Sequence, residues 1–99
     1  MEQWLRGTSA DVTTKVMEGV APVLHVVRAA DGGWRLLDVP EADAGPLVTF
    51  HLFHALDHDQ SLLDVFDLDP GRAASRDAVG ERWKRRRLGR IWSVFNRDA

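Results

Sequence analysis

The chain contains no cysteine. That excludes a disulfide framework, a thiolate nucleophile and any cysteine-bound zinc. No apolar run approaches the roughly 20 residues that span a bilayer. Met1-Glu2-Gln3-Trp4 has neither the basic start nor the apolar stretch of a secretion signal, so a cytoplasmic protein is expected. Catalytic signatures are also missing. Ser9, Ser61, Ser75 and Ser93 have no Gly-x-Ser-x-Gly elbow around them, and no glycine-rich loop could cradle a phosphate. The expectation is a protein that is not an enzyme, with no cofactor.

What is present fits one domain spanning 1–99. A chain of 99 residues can bury roughly 60–70% of its unfolded surface, enough for a single modest core. Apolar and charged residues occur near the shares usual for globular proteins, which argues against disorder. The net charge of −2 is unevenly spread. Residues 81–99 hold seven Lys/Arg against two acids, net +5, and residues 1–80 hold six against thirteen, net −7. An acidic body with a basic tail can steer a charged partner or attract its own tail.

The organising stretch is Pro22 to Asp38, PVLHVVRAADGGWRLLD. Val23, Leu24, Val26 and Val27 suit a pleated, half-buried surface. Asp31-Gly32-Gly33 suits a hairpin corner, and alternation puts Trp34 and Leu36 on one face. Around this hairpin the sequence predicts a brief strand at Asp11-Val12-Thr13. A short helix follows, capped by Thr13 or Thr14 and closed by Gly19. A loop runs from Val39 to Pro46, and a strand starts at Leu47-Val48. Thr49 is expected to cap a helix over Phe50 to Leu56, and Asp59 a second through Ser61 to Phe66. Helical spacing sets Leu52, Leu56 and Leu63 on one side, towards the sheet. Leu68-Asp69-Pro70-Gly71 reads as a turn and Arg72 to Arg76 as a strand, with Asp77 to Gly80 as a corner. Glu81 to Arg87 reads as a last strand with Trp83 turned inward. Leu88, Ile91, Trp92 and Phe95 then follow helix spacing, although Gly89 weakens a helix there by about 1 kcal/mol. The expected fold is α+β. A small antiparallel sheet is built on the central β-hairpin, short helices pack on one face, and a C-terminal helix follows.

Three clusters are candidate sites. His51, His54 and His58 stand at i, i+3, i+7, so on one helix they would share a face and could hold Zn²⁺ or Ni²⁺. The spacing departs from His-Glu-x-x-His, and a helix break near Asp57 would scatter them. Ordinary surface histidines are the plainer reading, and no metal is assigned. The basic run Arg82, Lys84, Arg85, Arg86, Arg87 and Arg90, with Trp83 inside it, suits nucleic acid or an anionic surface. The chain as a whole is acidic, however, and has no recognised nucleic-acid module. The acids Asp38, Glu41, Asp43, Asp57, Asp59, Asp64, Asp67 and Asp69 fall in loops and caps, where carboxylates are common for structural reasons. Together they would offer a negative surface to a basic partner protein.

Lys15-Val16-Met17-Glu18-Gly19, Pro22-Val23-Leu24-His25-Val26-Val27-Arg28 and Gly33-Trp34-Arg35-Leu36-Leu37 form one series of matching segments. Leu56-Asp57-His58-Asp59-Gln60-Ser61-Leu62 and Leu68-Asp69-Pro70-Gly71-Arg72-Ala73 continue it, with Arg76 following. Over about residues 12–86 this series resembles the bacterial immunity protein 33-like group, a domain of unknown function among polymorphic-toxin immunity proteins. The match rests mainly on Gly33-Trp34, the Asp-containing helical turn and Pro70-Gly71. The chain departs from the group's pattern in a short hairpin turn (Ala29 to Gly33), in Gln60 where a proline would fit, and in the basic amphipathic tail from residue 87 to 99. The resemblance implies a compact α+β domain without catalysis that binds a protein, and it transfers no catalytic residue.

The leading expectation is therefore a non-enzymatic protein-binding domain of the immunity type, occluding the surface of a basic toxin. The alternative is a regulatory or nucleic-acid-binding module working through the basic C-terminal segment. Trp92 and Phe95 also leave room for a homodimer built on a C-terminal helix, since a helix half-buried on its own core looks the same in sequence.

Overall fold

The structure, a computed structural model, describes residues 7–88. A six-stranded mixed sheet carries a few short helices on one face, the α+β class expected. In chain order the elements are β1 (Ser9–Thr13), α1 (Thr14–Met17), β2 (His25–Arg28) and β3 (Trp34–Leu37). A 3₁₀ turn (Glu41–Asp43), β4 (Leu47–His51), α2 (Leu52–His58) and a 3₁₀ helix (Gln60–Val65) follow, then β5 (Arg72–Ser75) and β6 (Lys84–Arg87). The strand order is β4-β1-β3-β2-β5-β6, so the hairpin β2–β3 forms the middle of the sheet. Its corner is closed by Ala29 N–H donating to Gly33 C=O at 2.7 Å and Gly32 N–H to Ala29 C=O at 2.8 Å. Gly32 sits at φ 91°, a conformation a Cβ would strain.

The sheet is not wholly antiparallel as expected: β1 and β3 run parallel, Ala10 beside Trp34 and Val12 beside Leu36. The cause is topological. The chain leaves β1, passes through α1 and comes back down β2 one strand-width further away. The return strand of the hairpin fills that gap and must run with β1. The remaining four pairings are antiparallel.

Strand alternation sends Ala10, Val12, Val26, Trp34, Leu36 and Ala74 to the helical side. There they pack with Val16 of α1, Leu52, Ala55 and Leu56 of α2, and Leu62, Val65, Phe66 and Leu68. Trp34 meets Phe66 edge to face, ring centres 5.6 Å apart, a favoured aromatic geometry. Trp83 packs partly buried against this core, turned inward as expected.

Several local expectations shift. β2 is His25–Arg28; just ahead of it Leu24 N–H donates to Leu37 C=O at 2.9 Å, and Val23 is buried in the core. Thr13 precedes α1 without a side-chain cap; it is tied into β1 opposite Leu47, and its buried hydroxyl has no hydrogen-bond partner among the described residues. Thr49 lies inside β4, paired with Asp11, so α2 starts at Leu52 and His51 stands at its cap position. Asp59 does cap the 3₁₀ helix, accepting from Ser61 N–H at 3.0 Å. Leu63, expected to face the sheet, is 53% exposed, and Leu62 is buried in its place. The extended backbone at Asp59 (φ −154°, ψ 98°) ends α2, and the next helix restarts with a different phase and a three-residue turn. The expected C-terminal helix lies outside the described residues.

Candidate functional site

The helical layer holds Asp57 at the end of α2, Asp64 in the 3₁₀ helix, and Asp67 and Asp69 in the turn leading to β5, all exposed. Leu63, beside Asp64 in the same 3₁₀ helix, is exposed as well. Asp67 is engaged by the neighbouring edge strand: Arg85 donates to Asp67 Oδ1 at 3.0 Å and to the Asp64 backbone carbonyl at 2.6 Å. Part of the basic run thus pairs with the acidic body. Asp57, the Asp64 carboxylate and Asp69 have no ion pair among the described residues. At such exposure the Arg85–Asp67 pair contributes at most about 1 kcal/mol.

Asp59, predicted alongside these, has a different place. Its carboxylate is held by the Arg76 guanidinium and by both the N–H and the hydroxyl of Ser61. Burial works to raise its pKa, but the Ser61 hydroxyl, Arg76 and the Ser61 N–H outweigh burial and leave it below the ordinary 3.8. Arg76 is buried and spends its remaining donors on Ser61 Oγ at 2.8 Å and Val23 C=O at 3.1 Å, with its guanidinium 4.1 Å from the Trp83 ring centre. Asp59 is therefore an internal anchor. The sequence does not single out Arg76, because nothing local links it to an aspartate 17 residues earlier.

The remaining acids lie elsewhere. Glu41 pairs with Arg35, whose neighbours Trp34 and Leu36 point into the helical layer, so Arg35 and the loop at Glu41 belong to the opposite face. Asp43 is exposed on that loop, and Asp38 is half-buried beside it. The eight carboxylates thus separate into a helical group and a loop group rather than one face. On that opposite face His25 has its pKa lowered, by burial first and by Arg86 second, with Asp38 opposing.

The basic residues Lys84, Arg85, Arg86 and Arg87 form an exposed edge strand. Alternation divides them, with Arg85 and Arg87 towards the helical side and Lys84 and Arg86 away from it. Arg82 is exposed just before the strand, and Arg90 lies outside the described residues. The three histidines do not assemble. His51 ends β4 and contacts His54 of α2 edge to face, ring centres 5.6 Å apart, while His58 lines a groove at the far end of α2. Among the described residues no group of three His, Asp or Glu gathers in a metal-holding arrangement.

That groove, about 330 Å³, runs between α1, the lead into β2 and α2, and is lined by Val20, Pro22, Phe50, Ala55, His58 and Val79. Val20 and Val79 are exposed on its rim. No described helix is long and apolar enough to cross a membrane. No protein-family model, no curated protein and no solved structure matches the chain.

Proposed function

We propose that this chain is a non-enzymatic protein-binding domain whose helical layer receives a basic partner protein. One observation carries the reading: exposed Asp57, Asp64 and Asp69, without ion pairs among the described residues, lie on the same layer as an exposed Leu63. An exposed apolar side chain on the same layer as uncompensated carboxylates suits a contact in which burial supplies affinity and charge supplies encounter rate and selectivity. The partner class follows from the chemistry, a protein with a basic face. The resemblance to immunity proteins suggests a toxin, blocked in the cytoplasm by occlusion of its surface. The mechanism is steric and electrostatic and needs no cofactor. The loop group at Asp38, Glu41 and Asp43 stands outside this contact.

The test is capture of binding partners with the tagged chain, repeated with Asp57→Lys/Asp64→Lys. Both positions are exposed and neither carboxylate serves an internal ion pair. The expected result is one stoichiometric basic protein whose affinity falls about tenfold or more in the variant. Unchanged affinity would move the contact away from the helical layer.

A second reading has its own support, in that Arg82, Lys84, Arg86 and Arg87 are exposed and unpaired among the described residues. Nucleic-acid binding through this edge predicts an affinity that falls steeply with salt. Salt-independent binding, or none, rules it out.

A further inference from the structure

Three arginines far apart in the sequence become neighbours in the sheet. Register sets Arg28 of β2 directly opposite Arg72 of β5, and Arg72 directly opposite Arg87 of β6. Directly opposed side chains leave a sheet on the same face. The row continues at β3 with Trp34, the register partner of Arg28. Trp34 belongs to the core formed with the helices, so the three arginines stand on the helical side. They span two strand spacings, roughly 10 Å. Lys84 and Arg86 alternate with them along β6 and turn to the other face.

Like charges set directly opposite one another cost stability. Carboxylates between them would relieve that cost, yet none of the three arginines makes an ion pair among the described residues. The acids of the adjoining turns are placed otherwise. Asp67 pairs with Arg85, Asp31 accepts from Gly33 N–H at 2.9 Å, and Asp69 is exposed without an ion pair. A guanidinium carries five N–H donors. Arg28 spends two of them, Nε on Gly32 C=O at 3.4 Å and Nη1 on Leu68 C=O at 2.8 Å, with Cζ 4.9 Å from the Trp34 ring centre. These contacts orient the group and leave its other N–H donors without a partner among the described residues. Arg72 and Arg87 make no side-chain hydrogen bond among the described residues. Arg28 also lines a pocket of about 610 Å³ together with Gly32 and Trp34, which gives an anion room to reach it.

We propose that this row binds a linear oligophosphate, inorganic or carried on a nucleoside, across Arg28, Arg72 and Arg87. A carboxylate brings one charge and suits one guanidinium fork. Phosphate groups in line bring several charged oxygens, which three forks in a row can share. A long nucleic-acid strand suits the site less, because Asp67 and Asp69 flank the row in the turn before β5 and would repel it. A compact anion need not pass them. The site uses neither Asp57 nor Asp64, so it stands or falls independently of the protein contact proposed above.

The test titrates tripolyphosphate into the full chain, read by calorimetry and by the arginine Nε–Hε resonances. One site is expected, with the resonances of Arg28 and Arg72 shifting and that of Arg35 unmoved. Arg72→Gln gives up no internal hydrogen bond and should weaken binding about tenfold or more, the worth of a charge-assisted contact. Lys84→Gln/Arg86→Gln, on the other face, should change it by less than about threefold, as for charges acting only through screened solvent. A parallel titration with adenosine triphosphate separates the two sources: tighter binding than tripolyphosphate assigns a nucleotide, and equal or weaker binding assigns the inorganic chain. Neither heat nor shifts up to about 1 mM overturns the proposal. Equal weakening in both variants also overturns it, since that marks a general attraction to basic surface. A single-stranded oligonucleotide that binds tighter than both short phosphates, and loses affinity with Arg72→Gln, replaces the compact anion with a nucleic-acid strand. Should Arg72→Gln fail to fold, the resonance shifts in the unaltered chain decide.

Discussion

Arg76 joins three separate parts of the molecule. Its guanidinium joins the cap of the 3₁₀ helix through Asp59 and Ser61, the lead into β2 through Val23 C=O, and the indole of Trp83. A buried cation is tolerated only where its donors are satisfied, and removing it strands its partners. Arg76→Met should therefore destabilise the fold by about 3 kcal/mol, read as a lower denaturant midpoint at unchanged slope. Asp59 and His25 make the fold acid-sensitive in two separate windows. Asp59 titrates below its ordinary 3.8 in the folded state, so the unfolded chain takes up the proton first, and this contribution, present above 3.8, fades as pH falls through the folded value. His25 titrates below its ordinary 6.5. The unfolded chain again binds the proton first, so stability falls as pH drops from 6.5 towards the folded value and levels out below it. Unfolding free energy measured against pH should show both declines, and His25→Gln should remove the upper one alone.

At the scale of elements, the 3₁₀ helix Gln60–Val65 shows where local patterns stop being informative. Leu52 and Leu56 belong to one continuous helix, so their spacing correctly predicts burial. Leu63 fails the same rule because Asp59 breaks the helix and resets its phase, which exchanges Leu62 for Leu63 in the core. The exchange predicts opposite outcomes for adjacent residues. Leu62→Ala should cost about 2–5 kcal/mol through a core cavity, and Leu63→Ala should stay within about 0.5 kcal/mol, as measured by thermal or chemical denaturation. The Asp59 cap, the Asp31-Gly32-Gly33 corner and the Pro70-Gly71 turn were legible because each depends on a few adjacent residues. The parallel β1–β3 pair was not, since it depends on which gap the hairpin fills. The candidate site was legible in composition only. Its acids are where the sequence lists them, but their division between two sides of the sheet follows from strand parity at Arg35, and the diversion of Asp59 into a buried ion pair follows from Arg76.

For the whole molecule, the arrangement of the sheet gives its two edges opposite characters. β4, at one edge, is Leu47–His51 and carries no Lys, Arg, Asp or Glu. β6, at the other, is Lys84–Arg87, four cations in a row. An edge strand exposes unpaired N–H and C=O groups that can recruit another chain, and like charge along it is an established means of preventing that. On β6 one of the four, Arg85, is partly neutralised by Asp67, which leaves Lys84, Arg86 and Arg87 as the repulsive set. If these charges guard the edge, their replacement by neutral strand formers should allow pairing between molecules without loosening the fold, because none of the three makes an ion pair among the described residues. Lys84→Thr/Arg86→Thr/Arg87→Thr is therefore expected to keep its melting temperature at low concentration and to associate as concentration rises, seen as a growing weight-average mass in sedimentation or light scattering. Salt gives the complementary reading on the unaltered chain. Screening over roughly 10 Å at 0.1 M should weaken the repulsion between β6 edges and promote the same association at high ionic strength. A mass that stays monomeric under both conditions would mean that the edge is protected by something other than its charge.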